Sequence, residues 1–317
     1  MENTIGVDVG GTKIAAGVVD AEGHILERLR VPTPAGVEEI DARIAEVVTA
    51  LLAQSGQAAA QTAVGVAAAG FVDQNRTTVR FAPNIAWREH PLAASVGDRV
   101  GLPVVVENDA NAAAWAEFRF GAGAGVSDVV LITVGTGIGG GIVLDGNLVR
   151  GSFGIAAELG HIRVVPNGRP CGCGQFGCWE QYASGRALLR AARALAIEDP
   201  QAAKAMLVLA GGDPAGLRGD MVSEAALAGD PGAVGLFAEL GRWLGEGIAS
   251  VANVMDPAVV VNGGGVADAG DLLLEPARAA FTTHLSGGDH RPHLDIRKAL
   301  LGNDAGIIGA ADLARRR

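Results

Sequence analysis

The sequence predicts an α/β fold with two domains around an interdomain cleft. Three observations lead there. Short apolar runs alternate with stretches of helical periodicity. Several of those runs end in glycine turns, and at 317 residues the chain exceeds the usual size of a single core.

In chain order, Thr4 to Val9 is an apolar run ending in Asp8 and a Gly-Gly pair, and Ile14 to Val19 resumes it after one tight turn, which predicts a hairpin. Ile40, Ile44, Val47, Val48, Leu51 and Leu52 recur at helical spacing, and Ala63 to Ala68 returns to a buried strand. The rhythm continues through Pro103 to Glu107 (strand), Ala110 to Phe120 (helix) and Val129 to Val134 (strand). Val234, Phe237, Leu240, Leu244, Ile248, Val251 and Met255 keep a helical period, and Ala258 to Val261 is a strand feeding Gly263, Gly264 and Gly265. The polar stretch Leu209 to Asp220 reads as a surface loop. A boundary near residue 110 is expected, giving a small domain over 1–109, completed by a C-terminal helix over 303–317, and a large domain over 110–302.

Hydrophobic residues make up 49% of the chain, ample for a core. A formal charge of -10 argues against nucleic-acid binding, which needs a basic surface to displace counterions, so the expected partner is a small molecule. Neither a secretory leader nor an apolar run of roughly 18 residues is visible, so no membrane contact is expected and the protein should be cytoplasmic. All three cysteines fall between Cys171 and Cys178, a spacing that suits a metal better than a disulfide framework.

Asp8-Val9-Gly10-Gly11-Thr12-Lys13 follows a strand, and its glycines let a phosphate approach backbone N–H groups. Thr12 adds a hydroxyl, Lys13 a cation, and Asp8 a carboxylate able to hold Mg²⁺. A plain hairpin turn explains the same residues. Two more strands end in glycines: Thr133 to Gly141, which contains Thr136 and Gly137, and Gly263-Gly264-Gly265. None is a Walker A loop, and none fits the dinucleotide G-x-G-x-x-G fingerprint. Three such loops resemble those of the actin-like ATPase (ribonuclease H-like) and sugar-kinase superfamily. That resemblance implies ATP, with Gly10, Gly11, Thr12, Lys13, Thr136 and Gly137 facing its phosphates and Gly263 to Gly265 lining its adenosine end.

His161-x9-Cys171-x-Cys173-x4-Cys178 offers an imidazole and three thiols, close to a structural Cys₃His zinc set. A buried thiol cluster without metal is the competing reading. The string from Glu158-Leu159-Gly160-His161 through Cys171-Gly172-Cys173-Gly174 to Cys178-Trp179-Glu180 resembles the signature of the ROK family (repressor, open reading frame, kinase). The resemblance implies that the zinc loop borders a sugar pocket, and that His161 gives one ring nitrogen to zinc and the other to a sugar hydroxyl.

Asp109, in Glu107-Asn108-Asp109-Ala110-Asn111, stands between a strand and a helix, where it serves equally as an N-cap or as a base. The segment resembles the sugar-kinase motif whose aspartate takes the proton of the attacking hydroxyl, with Asn108 beside it. Glu158, His161, Glu180, Asn84 and Asn108 are the polar types a hexose ring needs, and Gly70 resembles a close-approach glycine of the family; turn chemistry also accounts for Asn84 and Gly70. The family resemblance implies an ATP-dependent glucokinase acting on the 6-hydroxyl of glucose, as a homodimer or homotetramer. Another hexose, or polyphosphate as donor, is the runner-up. The family's regulators carry a helix-turn-helix domain before the first glycine loop; here Asp8 lies almost at the start, so an enzyme is expected.

Overall fold

The computed structural model describes residues 3–56 and 63–316, so the last position of the expected C-terminal helix, 317, lies outside the described residues. The chain begins with β1 (Thr4–Val9), β2 (Lys13–Val19), β3 (Ile25–Pro32), α1 (Val37–Ser55) and β4 (Val64–Ala68). Short strands β5 (Phe71–Val72), β6 (Val79–Phe81) and β7 (Arg88–His90) follow, then α2 (Leu92–Val100), β8 (Val104–Asn108) and α3 (Asp109–Phe120). Next come β9 (Val129–Val134), β10 (Ile138–Leu144), β11 (Asn147–Leu148), α4 (Gly185–Glu198), α5 (Lys204–Leu209), α6 (Gly219–Leu227) and α7 (Pro231–Met255). The chain closes with β12 (Val259–Gly263), α8 (Asp271–His284), β13 (Asp295–Lys298) and α9 (Ala305–Arg315).

One five-stranded sheet runs β3-β2-β1-β4-β8, another β11-β10-β9-β12-β13, and a three-stranded sheet β5-β6-β7. By contacts the chain divides into two compact units, Met1–Leu131 with Gly141–Ala157 and Ala299–Arg317, and Ile132–Gly140 with Glu158–Lys298.

In the first unit, the strand alternation of β1 sends Ile5, Val7 and Val9 into a core with Ile40, Ile44, Val48 and Leu51 of α1. Each such buried side chain contributes about 1.5–3 kcal/mol. Glycine stands on the opposite face. Gly6 pairs with Gly65 across β1 and β4, and a Cβ on either would overlap the carbonyl of Ile307 or Ala310, so their bareness lets α9 lie directly on the sheet. Helix α3 packs on α9 in turn, through Ala116 against Ile308 and Ala311 and a 2.8 Å hydrogen bond from Trp115 Nε1 to Asp312 Oδ2. That contact keeps α3 in the first unit, which continues to Leu131 rather than ending near the residue 110 expected from sequence.

In the second unit, α7 lies against α8, and a Cβ on Gly245 would overlap the Ala277 carbonyl. Trp179 is fully buried where α7 presents Gly247, and its Nε1 donates to the Trp243 carbonyl at 2.9 Å. Among the described residues no helix is long and apolar enough to cross a membrane.

Candidate active site and metal centre

In the first unit, β1, β4 and β8 are parallel, with Val9 opposite Ala68 and Ala68 opposite Asn108. Their carboxyl ends therefore share one sheet edge, the place where α/β sheets hold ligands. The residues leaving that edge are the Gly10-Gly11 loop, the Ala69-Gly70 turn and the Asn108-Asp109 junction. The Gly10 loop is closed by Gly10 N–H donating to the Lys13 carbonyl (3.0 Å) and tied down by Thr33, whose hydroxyl donates to the Gly10 carbonyl (2.7 Å). Gly11 and Thr12 are exposed, and their N–H groups have no intramolecular partner among the described residues. This is a ready set of donors for an anion.

The helix cap is Asn108, whose Oδ1 accepts from Asn111 N–H at 3.0 Å. Asp109 is thereby released from capping by its neighbour. Its Oδ1 accepts from Ala110 N–H (2.9 Å) and from Asn108 Nδ2 (3.1 Å), while Oδ2 has no hydrogen-bond partner among the described residues. Asn108 Nδ2 also donates to the Gly70 carbonyl (3.1 Å), so both its N–H bonds are engaged and only a lone pair on Oδ1 stays open to a ligand. Gly70 is a close-approach glycine, but what approaches is the backbone of Phe81 and Ala82. Asn84 is exposed and lies beside the first glycine loop, 3.4 Å from where a Cβ on Gly11 would sit.

Burial raises the pKa of Asp109, and the Ala110 N–H and Asn108 amide offset part of that rise. Asp8 is pushed up to about 6 by burial first and by the charge of Asp109 second, with Lys13 pulling the other way. Asp8 thus faces one carboxylate and one lysine, and the lysine does not offset its burial.

In the second unit, the β9–β10 turn is closed by Gly135 N–H on the Gly137 carbonyl (3.0 Å). The start of α4 docks on it: Gly185 N–H donates to the Gly135 carbonyl (2.8 Å), and Arg186 Nε to the Thr136 carbonyl (3.1 Å). A Cβ on Gly137 would overlap Glu180 Oε2, so this glycine admits the Glu180 carboxylate to the loop. Gly264, at φ +87°, packs on the end of β9, and Val266 N–H donates to the Val134 carbonyl (3.0 Å), which sets the second and third glycine loops side by side. Gly263 is buried; Gly264 and Gly265 are exposed.

Between Glu158 and Glu180 the four expected metal donors converge, with ligand atoms of His161, Cys171, Cys173 and Cys178 all within 4.8 Å of one another. Cys171 Sγ is 3.7 Å from His161 Nδ1, and Cys173 Sγ is 3.6 Å from Cys178 Sγ. A tetrahedral zinc with Zn–S near 2.3 Å has edges of about 3.7 Å, so the cluster matches such a site. Burial, then the adjacent Cys173 and Cys171 groups, push the Cys178 thiol up to about 12, so the thiols cannot all ionise without a cation among them. Glu180 is buried with Oε1 3.1 Å from Cys171 Sγ and 3.2 Å from Gln181 Nε2, whereas Glu158 is exposed. The half-buried His161 turns Nδ1 toward the thiols, which leaves Nε2 as its other ring donor.

The chain matches the profile of the ROK family over residues 4–317. It belongs to that family. It is 55% identical to the glucokinase of Streptomyces coelicolor over 312 residues, 98% of this chain and 97% of that one. Its structure is similar to that of a ROK family glucokinase from Streptomyces griseus in complex with glucose and AMPPNP, with TM-score 0.89, 56% identity, and coverage of 99% of this chain and 100% of that one. The ROK hexokinase of Thermus thermophilus is also similar, with TM-score 0.80, 37% identity, and coverage of 99% and 98%. The fold is accordingly the two-domain actin-like ATPase fold of ROK sugar kinases.

Three residues of this ROK chain escape the sequence reading. Buried Glu107 pairs with half-buried Arg150 behind Asn108, with Arg150 Nε donating to Glu107 Oε2 at 2.6 Å. Arg186 joins the Thr136 carbonyl to Glu180, with Nη2 3.5 Å from Oε1. Arg150 lies 43 residues from Glu107 and Arg186 lies 50 from Thr136, so only the folded chain reveals those contacts. Glu107 had a local signal, an acid inside an otherwise apolar strand.

Proposed function

We propose that the chain is an ATP-dependent glucokinase that transfers the terminal phosphoryl group of ATP to the 6-hydroxyl of glucose. Full-length identity of 55–56% to Streptomyces glucokinases supports the activity, the Streptomyces griseus enzyme having been seen with glucose and an ATP analogue. The observation that carries the mechanism is the Asp109 carboxylate, anchored through Oδ1 with Oδ2 left open.

In this reading Oδ2 of Asp109 orients the sugar hydroxyl and takes its proton as the oxygen attacks phosphorus, a role worth about 10²–10⁴ in rate. Burial favours the reading, since a desolvated carboxylate is a stronger proton acceptor than one in water. Asn108 would accept from a neighbouring hydroxyl with its remaining lone pair. Glu158, His161 through Nε2, and Glu180 would engage other hydroxyls, and Asn84 and Gly70 would shape the first unit's contribution. The open N–H groups of Gly11 and Thr12, with Lys13, Thr136 and Gly137, would hold phosphate oxygens, and Gly263 to Gly265 the adenosine end.

Magnesium, when bound, would supply the charge that neutralises the phosphates, and Asp8 is the carboxylate of the first loop suited to hold it. The raised pKa of Asp8 marks a carboxylate without a full counter-ion. Zinc, when bound by His161, Cys171, Cys173 and Cys178, would let the thiols ionise together and fix the His161 ring.

A panel of hexoses and amino sugars mixed with Mg-ATP tests the reading by ADP release. Glucose should give the highest kcat/KM; a tenfold preference for another sugar would reassign the substrate, and no turnover with any sugar would overturn the kinase activity.

A further inference from the structure

We propose that Glu107 is a positioning residue that aims the Asp109 carboxylate from behind, with Arg150 as its partner. The proposal rests on Asp109 being the base.

Glu107 lies one residue before the end of β8 and is 2% exposed. Strand alternation points its side chain to the opposite face from Asn108, so it supports the junction rather than lining its open side. Its two oxygens are fully used. Oε1 accepts from Asn108 N–H (3.1 Å) and Asn111 Nδ2 (3.1 Å), and Oε2 accepts from Arg150 Nε (2.6 Å), with Arg76 Nε at 3.4 Å. Asn108 and Asn111 are the residues that fix the turn around Asp109: Asn111 N–H is capped by Asn108, whose amide holds Asp109 Oδ1. One carboxylate therefore gathers the backbone of the residue before the base, the side chain of a residue two positions after it, and two guanidinium groups.

Such an arrangement is costly as mere filling. A buried carboxylate carries a desolvation penalty that well-packed apolar side chains avoid, so its presence favours a directional role. Glu107 is also the acid that both arginines share. The Arg76 guanidinium is pushed down to about 10 by burial and by the charge of Arg150, with Glu107 opposing that shift. Removing the negative charge would leave two crowded cations beside the turn that presents Asp109. Displacing a catalytic group by about 1 Å costs on the order of 10²-fold in rate.

The test compares Glu107→Gln, Arg150→Gln and the double variant with wild type and Asp109→Asn, by steady-state kinetics and by glucose affinity from calorimetry. Glu107→Gln is expected to lose about 10- to 100-fold in kcat, while glucose affinity stays within about threefold, since Glu107 itself touches no sugar hydroxyl and the ring contacts proposed for Glu158, His161 and Glu180 are unchanged. The double variant should recover part of the loss, because a Gln–Gln pair replaces a donor facing a donor with a donor facing an acceptor. A structural role alone would lower kcat and affinity together, in step with the folded fraction, without rescue, and that result would overturn the proposal. Should Glu107→Gln fail to fold, Arg150→Gln keeps Glu107 paired with Arg76 and should still reduce kcat at unchanged glucose affinity; wild-type kcat there overturns the proposal. Near-normal kcat in Asp109→Asn would remove the base assignment itself. An inactive Asp109→Asn beside a fully active Glu107→Gln would remove only the positioning claim.

Discussion

Replacing Asp8 by asparagine is expected to stabilise the protein and inactivate it at once. The carboxyl is shielded by the sheet edge and by the start of α9, where a Cβ on Gly306 would come within 3.0 Å of Asp8 Cγ, and it faces the charge of Asp109. Its pKa of about 6, against 3.8 for the free side chain, means that the folded protein holds a proton there which the unfolded chain has already released. Between pH 3.8 and 6 the folded state binds more protons, so this group's contribution to stability falls as pH rises through that window. Above it the full penalty applies, at most about 3 kcal/mol at about 1.4 kcal/mol per unit. Asp8→Asn removes the penalty and should raise the melting temperature at pH 8, without nucleotide or divalent cation, by about 4–8 °C. At pH 4 the gain should nearly vanish. The same variant should lose most kcat with Mg-ATP. A lower melting temperature at pH 8, or an equal rise at both pH values, would refute the reasoning that an uncompensated charge sits at this edge.

Cys173→Ser should abolish stoichiometric zinc, measured by metal analysis of the purified protein, and lower the melting temperature; metal-free wild type with full activity would contradict the site. Arg186→Ala should raise the KM for Mg-ATP about fivefold, since losing its hydrogen bond to the Thr136 carbonyl, worth about 1 kcal/mol, loosens the loop proposed to hold the phosphates. An unaltered nucleotide KM would show that the contacts of Arg186 with the Thr136 carbonyl and Glu180 have no bearing on nucleotide binding.

The regular elements were legible because their periodicity is strong. The apolar spacing from Ile40 to Leu52 gives α1, that from Val234 to Met255 gives α7, and the run Val129 to Val134 is β9 to the residue. Elements without a period were not legible: β5, β6 and β7 have two or three residues each, too short for alternation to register. The metal donors could be read since their chemistry lies within one short segment. Which of Asn108 and Asp109 caps α3 could not be, because both types cap well and the choice depends on where β8 ends. The extent of the first unit depends on α3 meeting α9, elements nearly two hundred residues apart whose contact no local pattern records. Gly70 shows the same limit: the family resemblance implies a close approach, and only the fold reveals that the approaching group is the Phe81 and Ala82 backbone.

The role of Asp109 is tested most directly by the single-turnover rate of Asp109→Asn with saturating glucose and Mg-ATP. Asparagine preserves the Oδ1 acceptor for Ala110 and Asn108 and leaves the turn intact, so glucose should still bind. Phosphoryl transfer should slow by about 10²–10⁴. Transfer at a rate close to wild type would mean that another group takes the hydroxyl proton, and the assignment of Asp109 would be wrong.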